Sequence, residues 1–482
     1  MMVPHPPRQP ARRRFPGGWR LAALAVLFSV CLQSADAPGQ DTLGPPNIVL
    51  IVADDLGYGD LSCYGQTKYR TPHIDRLARE GMRFTDFYAG STVCAPSRCV
   101  LMTGQHTGHC FIRGNSKQNL RAGDVTVAEM LQRGGYKCGA FGKWGLGHEN
   151  SGGLPTLQGF DAFYGYLDQT HAHNYFPEFL IRNRKREPLS NVVPNATPDG
   201  AGVATEKNQY AHDLIVEEAR AFIERNRDDP FFLYLPVTIP HANNEAGQAG
   251  MEIPDMGRFA NEDWPAPEQA FAAMVTHLDQ DVGLILDLLE DLRLTERTIV
   301  LFTSDNGPHK EGGRDPAFFQ SSGPFRGIKR DLYEGGIRVP LIARWPGRIP
   351  ADSVSAHWSY FGDLFATFCD LAGVTPPPDL DSVSLAPTLL NRPKDQQLHA
   401  YLYWEFHERG FAQAVRHGEW KAVHQGGPEG KIELYNLADD PAETTDVSAQ
   451  EPNVVRQMAA FMNDAHQPSP HWPVNSQRKN PQ

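Results

Sequence analysis

The sequence predicts an α/β fold: a large mixed, mainly parallel sheet sandwiched by helices, with a smaller C-terminal subdomain of antiparallel sheet plus helix. Three observations predict it. Unbroken apolar runs recur at Asn47–Ala53, Phe231–Val237 and Thr298–Thr303, and such runs fit strands buried on both faces. Helical patterns lie between the runs, and strand–helix–strand repetition implies right-handed crossovers with helices on both faces. After Thr375-Pro376-Pro377-Pro378 the chain changes to short alternating stretches, which read as antiparallel strands.

Taken in order, the first 37 residues read as an export signal. Arg12, Arg13, Arg14 and Arg20 form a basic lead, Leu21 to Leu32 is apolar, and Ala35-Asp36-Ala37 offers an A-x-A cleavage site. Arg12-Arg13-Arg14-Phe15 has a twin-arginine character. The apolar run is short for a bilayer. The mature chain is therefore expected to be periplasmic or extracellular, without stable membrane insertion. Asp41–Pro46 reads as a linker. A catalytic domain is predicted at 46–375, a C-terminal subdomain at 380–470 and a flexible tail at 471–482.

Within the large domain, helices are predicted at Val125–Arg133, at Tyr210–Arg225, and where Met274, Leu278, Val282, Ile285 and Leu289 share one face. A shorter strand, Tyr136–Phe141, ends on Gly142-Lys143. Residues 241–266 and 310–330, rich in Gly, Pro, Asn and charge, read as long rim loops. In the subdomain, strands are predicted at His399–Phe406, Ala412–His417, Lys421–His424 and Ile432–Tyr435, then a helix at Glu451–Ala465.

Composition narrows the function. The 482 residues are 40% hydrophobic and 21% charged, with a net charge of −12. A chain that acidic is not built to bind nucleic acid, which needs a cationic surface. Of seven cysteines, Cys31 lies in the signal. The other six are sparse for a disulfide framework and form no CxxC pair, so no structural zinc site is expected. A pair of bridges stays open, with no partners assigned.

Chemistry gathers where the strands end. In a parallel sheet the strand C-termini share one edge, and ligands bind there. The predicted strands deliver Asp54 and Asp55, Lys143, His241, and Asp305 with Asn306 to that edge. Asp54, Asp55, Asp305 and Asn306 offer only oxygen donors, which suit a hard divalent cation, calcium or magnesium. Cys94-Ala95-Pro96-Ser97-Arg98 places Pro96 in the first turn of a predicted helix. Cys94 would then sit at a helix N-terminus, which favours anions.

At this point the chain resembles the sulfatase family, the formylglycine-dependent arylsulfatase-like branch of the alkaline phosphatase superfamily. The motif Cys-x-Pro-Ser-Arg followed by Thr103-Gly104 carries the resemblance, together with Gly57-Tyr58-Gly59-Asp60, Gly142-Lys143-Trp144, Pro240-His241, Ser304-Asp305-Asn306-Gly307 and Gly323–Lys329. It extends over roughly residues 46 to 465. The resemblance implies hydrolysis of sulfate monoesters, expected on a carbohydrate, and oxidation of Cys94 to formylglycine by a maturation enzyme. It implies one Ca2+ held by Asp54, Asp55, Asp305, Asn306 and the modified Cys94. It implies that Arg98 holds the modified side chain and the carboxylates, that Lys143 and Lys329 bind sulfate oxygens, and that His241 protonates the leaving alcohol. An aldehyde hydrate is suited to this chemistry, because one hydroxyl attacks sulfur and the other can collapse to expel sulfate by C–O cleavage.

One departure stands out. Many members read Gly-Lys-Trp-His-Leu-Gly, where this chain has Gly142-Lys143-Trp144-Gly145-Leu146-Gly147. His148, His171 and His173 are the nearby candidates to replace the absent histidine, and water is another. His171, His173 and His309 are expected as substrate contacts. Two rivals remain: a phosphate or phosphonate ester hydrolase of the same superfamily, and a sulfated-glycan-binding homologue without turnover.

Overall fold

The computed structural model describes residues 44–427 and 430–474. The predicted export signal at 1–37 lies outside the described residues, as do positions 475–482 of the predicted tail. Every residue of the strand Asn47–Ala53 is buried. Ile48, Leu50 and Val52 face one apolar cluster, and Val49, Ile51 and Ala53 face another. A strand sends successive side chains to opposite faces, and both faces are covered here, so the sequence shows a continuous apolar run instead of alternation.

The main sheet has ten strands. Its centre is parallel, in the order Thr298–Ser304, Asn47–Ala53, Phe231–Pro236, Lys137–Lys143, Ala162–Tyr166. The edges make it mixed. Leu341–Arg344 runs antiparallel to Thr298–Ser304 and leads to Met82–Phe84 and Ser353–Ser355. The antiparallel hairpin Phe179–Arg182/Lys185–Pro188 closes the other side.

Helices cover both faces. Cys94–Thr103, Val127–Arg133 and Phe361–Ala372 pack on one. Pro72–Arg79, Ala211–Arg225 and the 26-residue Ala266–Asp291 pack on the other. Thr126 starts the Val127–Arg133 helix with a capping box: its side chain accepts from the Glu129 N–H while the Glu129 carboxylate accepts from the Thr126 N–H. Loop 241–266 holds two 3-10 turns, Asn244–Ala249 and Gly257–Asn261.

The C-terminal part is a four-stranded antiparallel sheet of Leu402–Phe406, Ala412–His417, Trp420–His424 and Ile432–Asn436. The helix Pro452–Ala465 lays Met458, Met462 and Ala465 on it. Buried polar ties fix this sheet to the larger one. The Trp404 indole donates to the Ala89 carbonyl at 2.8 Å. Lys421 lies between Glu334 at 2.9 Å and Glu443 at 3.0 Å. The six described cysteines are free thiols. Among the described residues no helix is long and apolar enough to cross a membrane.

Candidate active site

Strand register brings the acids together. Ala53 pairs with Ser304, so the next residues on each strand, Asp54 and Asp305, emerge side by side. The Asp305 N–H donates to the Ala53 carbonyl at 3.1 Å, and the Asp55 N–H donates to Asp305 Oδ1 at 3.1 Å. Asp55 takes a φ of +65°, a left-handed conformation uncommon outside glycine, in order to turn its carboxylate inward.

Three buried cations face these three acids. Lys143, the last residue of its strand, places Nζ 2.6 Å from Asp54 Oδ2. Lys329 Nζ lies 2.7 Å from Asp55 Oδ2. Arg98 donates Nε and Nη2 to Asp305 Oδ2 at 3.0 and 2.8 Å, and Nη1 to the Lys143 carbonyl at 2.5 Å. Burial alone would raise the Asp54 pKa, but Lys143, His241, Arg98 and Lys329 together carry it well below the usual carboxylate range. Asp305 moves the other way, raised by burial and by the neighbouring Asp54 charge. A bound cation would relieve that repulsion.

The donor set fits a hard cation on a further count. The Asn306 amide N–H groups donate to Asp55 Oδ1 at 2.6 Å and to the Gly307 carbonyl at 2.8 Å. Its carbonyl oxygen Oδ1 is buried with no hydrogen-bond partner. An orphaned buried acceptor is costly, and beside three carboxylates it makes an all-oxygen set. Cys94 opens the Cys94–Thr103 helix with Sγ 3.3 Å from Asp54 Oδ1 and 4.0 Å from Asp55 Oδ1. Burial and the Asp54 charge push its thiol pKa well up, so the unmodified side chain is a protonated thiol and a poor nucleophile.

His241 completes the cluster. Its Nδ1 donates to the Ala242 carbonyl at 2.7 Å, which leaves Nε2 facing Lys329 Nζ at 3.1 Å and Asp55 Oδ2 at 3.4 Å. Burial, then Lys329, lower its pKa well below the ordinary histidine value. Two other imidazoles stack on its ring: His173 at 4.9 Å between centroids and 10° between planes, and His309 at 5.6 Å and 22°.

Residues 46–374 match the Sulfatase family model, and residues 326–467 match the model of the N-sulphoglucosamine sulphohydrolase C-terminal region. The chain is 31% identical to an N-acetylgalactosamine-6-O-sulfatase of Bacteroides thetaiotaomicron, over 91% of this chain and 96% of that protein. It is 36% identical to human arylsulfatase A, over 80% of this chain and 76% of that protein. The chain belongs to the sulfatase family. It is a sulfuric ester hydrolase. Among solved structures it is similar to Ps i-CgsB bound to k-i-k-neocarrahexaose, with a TM-score of 0.74, 27% identity and coverage of 89% of this chain and 95% of that one.

In this sulfatase the space beside Gly145 is already filled. A Cβ placed there would lie 2.1 Å from Gln169 Nε2, and Gly145 has a φ of +74°. Pairing brings the two together: the Gly145 N–H donates to the Leu167 carbonyl at 3.0 Å, two residues before Gln169. His148 sits beyond it, with Nδ1 3.2 Å from Asp168 Oδ2. His173 and His309 join the His241 stack. His173 is held by Glu245 at 3.2 Å, and His309 Nδ1 accepts the Glu311 N–H at 3.1 Å.

His171 is not brought to this cluster. It is buried against Tyr166 and Phe179, with ring centroids 4.9 and 4.6 Å away, and its Nε2 has no partner. Burial lowers its pKa to about 4. The unfolded chain would protonate this histidine near pH 6.5 and the folded chain only near pH 4. Its stabilising contribution is therefore complete above pH 6.5 and is lost as pH falls through 4, by about 3 kcal/mol at most. His171→Phe is expected to keep sulfatase turnover within about twofold and to flatten acid destabilisation between pH 6.5 and 4, read by urea unfolding at several pH values. An unchanged pH slope would contradict this reading.

Glu245, Glu311, Arg330, Asn115 and Glu408, which no sequence motif singles out, stand beside or behind the site's side chains: Glu245 on His173, Glu311 on His309 and Arg330, and Glu408 between Arg330 and Asn115. Arg330 alone had a signal, its place next to Lys329.

Proposed function

We propose that this sulfatase hydrolyses a sulfate monoester on a carbohydrate, with Cys94 as the precursor of formylglycine and a Ca2+ held by Asp54, Asp55, Asp305 and Asn306. The observation that carries the reading is Cys94 at a buried helix N-terminus, 3.3 Å from Asp54, in a cluster that also holds Lys143 and Lys329. The hydrate of that aldehyde would supply two hydroxyls on one carbon, one to attack sulfur and one whose proton, lost to water, would let the carbon return to the aldehyde as the C–O bond to sulfate breaks. When bound, the cation lowers the pKa of an attacking hydroxyl and draws negative charge toward it.

This chain's own residues do the rest. With Asp54 and Asp55 serving as ligands of the cation, Lys143 and Lys329 would be free to hold the sulfate oxygens, where charge develops in the transition state. Arg98 keeps Asp305 and the Lys143 carbonyl fixed, so the floor of the site does not shift. His241 donates from Nε2 to the leaving oxygen, because Nδ1 is committed to the Ala242 carbonyl. The negative charge of the bound ester favours the protonated imidazole, offsetting the burial that lowers its pKa in the free site.

The carbohydrate assignment is supported by the relatives' names, an N-acetylgalactosamine-6-O-sulfatase and a protein solved with a neocarrahexaose. His173 and His309, stacked on His241, are proposed as sugar contacts. We assign the catalytic unit to 46–375 and the C-terminal subdomain to 380–470, and we place the mature protein outside the cytoplasm.

The test is sulfate release from N-acetylgalactosamine 6-sulfate and 4-nitrophenyl sulfate by aldehyde-bearing protein, beside the matching phosphate esters. Chelation is expected to abolish turnover and lower the melting temperature, and added Ca2+ to restore both. A cation at 100 times its Kd stabilises by about 2.7 kcal/mol. Faster phosphate hydrolysis, or indifference to chelation, would overturn the reading.

A further inference from the structure

A cleft lies beside the residue that follows Lys329. Its volume is about 180 Å³, and Arg330, Asp331, Leu332, Phe406, Arg409 and Phe411 line it, with Gln425 at its edge; the Asp331 carboxylate is engaged, accepting from the Ile328 N–H at 3.0 Å. One wall follows directly from the sulfate-facing Lys329. The other is the turn joining the strands Leu402–Phe406 and Ala412–His417 of the C-terminal sheet.

The backbone at this junction directs consecutive side chains to different places. Lys329 points into the carboxylate cluster. Arg330 adopts a φ of +77°, outside the range an L-residue takes without cost, and lines the cleft. Its N–H donates to the Thr92 carbonyl at 3.0 Å, two residues before Cys94. Its guanidinium pairs with Glu311 and lies 3.9 Å from Glu408. Glu408 accepts from the Asn115 N–H at 2.9 Å, and the Asn115 side chain accepts from the Ala95 N–H at 3.0 Å. A short chain of side chains thus joins the cleft to the residue after Cys94.

Arg409 differs from Arg330. It is exposed at the tip of the turn, and among the described residues it has no ion-pair partner. Phe406 and Phe411, 3% and 6% exposed, give the cleft an apolar floor. The Gln425 amide, which donates to the Tyr333 hydroxyl at 3.1 Å, adds a polar edge. An apolar floor with a polar edge suits a sugar ring, and an exposed arginine with no ion-pair partner among the described residues suits a carboxylate or sulfate on it. In a chain of net charge −12, two arginines in the lining of one cleft, Arg330 and the exposed Arg409, make a local field that favours an anion.

We propose that this cleft is a subsite for a negatively charged group on a sugar neighbouring the one that carries the scissile sulfate, with Arg409 as its main contact. The inference rests on the sulfatase reading above. It makes the preferred substrate an oligosaccharide or polymer with further charge, in place of an isolated sulfated monosaccharide. The charge is either a uronate carboxylate or a second sulfate.

The test compares aldehyde-bearing wild type with Arg409→Gln and Arg409→Glu on four substrates. These are 4-nitrophenyl sulfate, 6-sulfated N-acetylgalactosamine oligosaccharides with uronate neighbours, their methyl esters, and counterparts with a sulfated neutral neighbour. The subsite predicts that Arg409→Gln lowers kcat/KM at least about tenfold more on one charged oligosaccharide than on 4-nitrophenyl sulfate, and Arg409→Glu more again. The methyl ester should lose that difference, and raised salt should shrink it. A selective loss on the uronate series identifies a carboxylate, and on the sulfated series a sulfate. Equal losses on all substrates, or none, overturn the subsite while wild-type turnover keeps the sulfatase reading intact. An aldehyde-bearing wild type that hydrolyses none of the four overturns both.

Discussion

His241→Ala is expected to slow hydrolysis of an unactivated sugar sulfate by about 10²- to 10⁴-fold, and of 4-nitrophenyl sulfate far less. The difference arises from the leaving group. A sugar alkoxide is a strong base and must be protonated as it departs, whereas nitrophenolate leaves unaided. His241 Nε2 is the atom left to carry that proton once the bound ester favours the imidazolium, since Nδ1 donates to the Ala242 carbonyl at 2.7 Å. Its stacking partners, His173 and His309, hold the ring plane without sharing that atom. The check is kcat for both substrates in wild type and variant. Equal losses would mean that His241 binds the sulfate group and does not protonate the leaving oxygen.

Arg98→Ala is expected to destabilise the protein by about 3–5 kcal/mol, because it leaves buried carboxylates without their cation. Arg98 is fully buried, bonds Asp305 through two nitrogens and holds the Lys143 carbonyl. Turnover should fall by at least about 10²-fold, since the lysine and the cation ligands lose their shared anchor. Arg98→Lys should rescue little, as one ammonium cannot reproduce a planar fork with three bonds. Urea unfolding and sulfate release measure the two effects. A stability loss below about 1 kcal/mol would show that the carboxylates relax without Arg98.

Much of this architecture was legible in the sequence, for a physical reason. The central strands are buried on both faces, so Asn47–Ala53 and Thr298–Ser304 stand out as apolar runs whose ends carry the acids. Pro96 marked the first turn of the Cys94–Thr103 helix. The short strands Met82–Phe84 and Ser353–Ser355, the second of them at the sheet edge, escaped notice because three residues carry no periodicity of their own. The occupant beside Gly145 was hidden for a different reason. Gln169 arrives from the neighbouring strand Ala162–Tyr166, and only the pairing of that strand with Lys137–Lys143 brings the amide there. His171 illustrates the converse: a polar, aromatic loop suggested a substrate contact, while packing against Phe179 turned the ring into the core. Glu408 lies 293 residues from its partner Asn115, a pairing that no local pattern encodes.

The most direct test of the account is the intact mass of the peptide spanning Cys94, from protein made with a formylglycine-generating enzyme, alongside sulfate release by the same sample. The account predicts a peptide about 18 Da lighter than the thiol form, reactive toward hydrazine, with turnover that Cys94→Ala abolishes. A Cys94 that remains a thiol under those conditions, or turnover that survives Cys94→Ala, would contradict it.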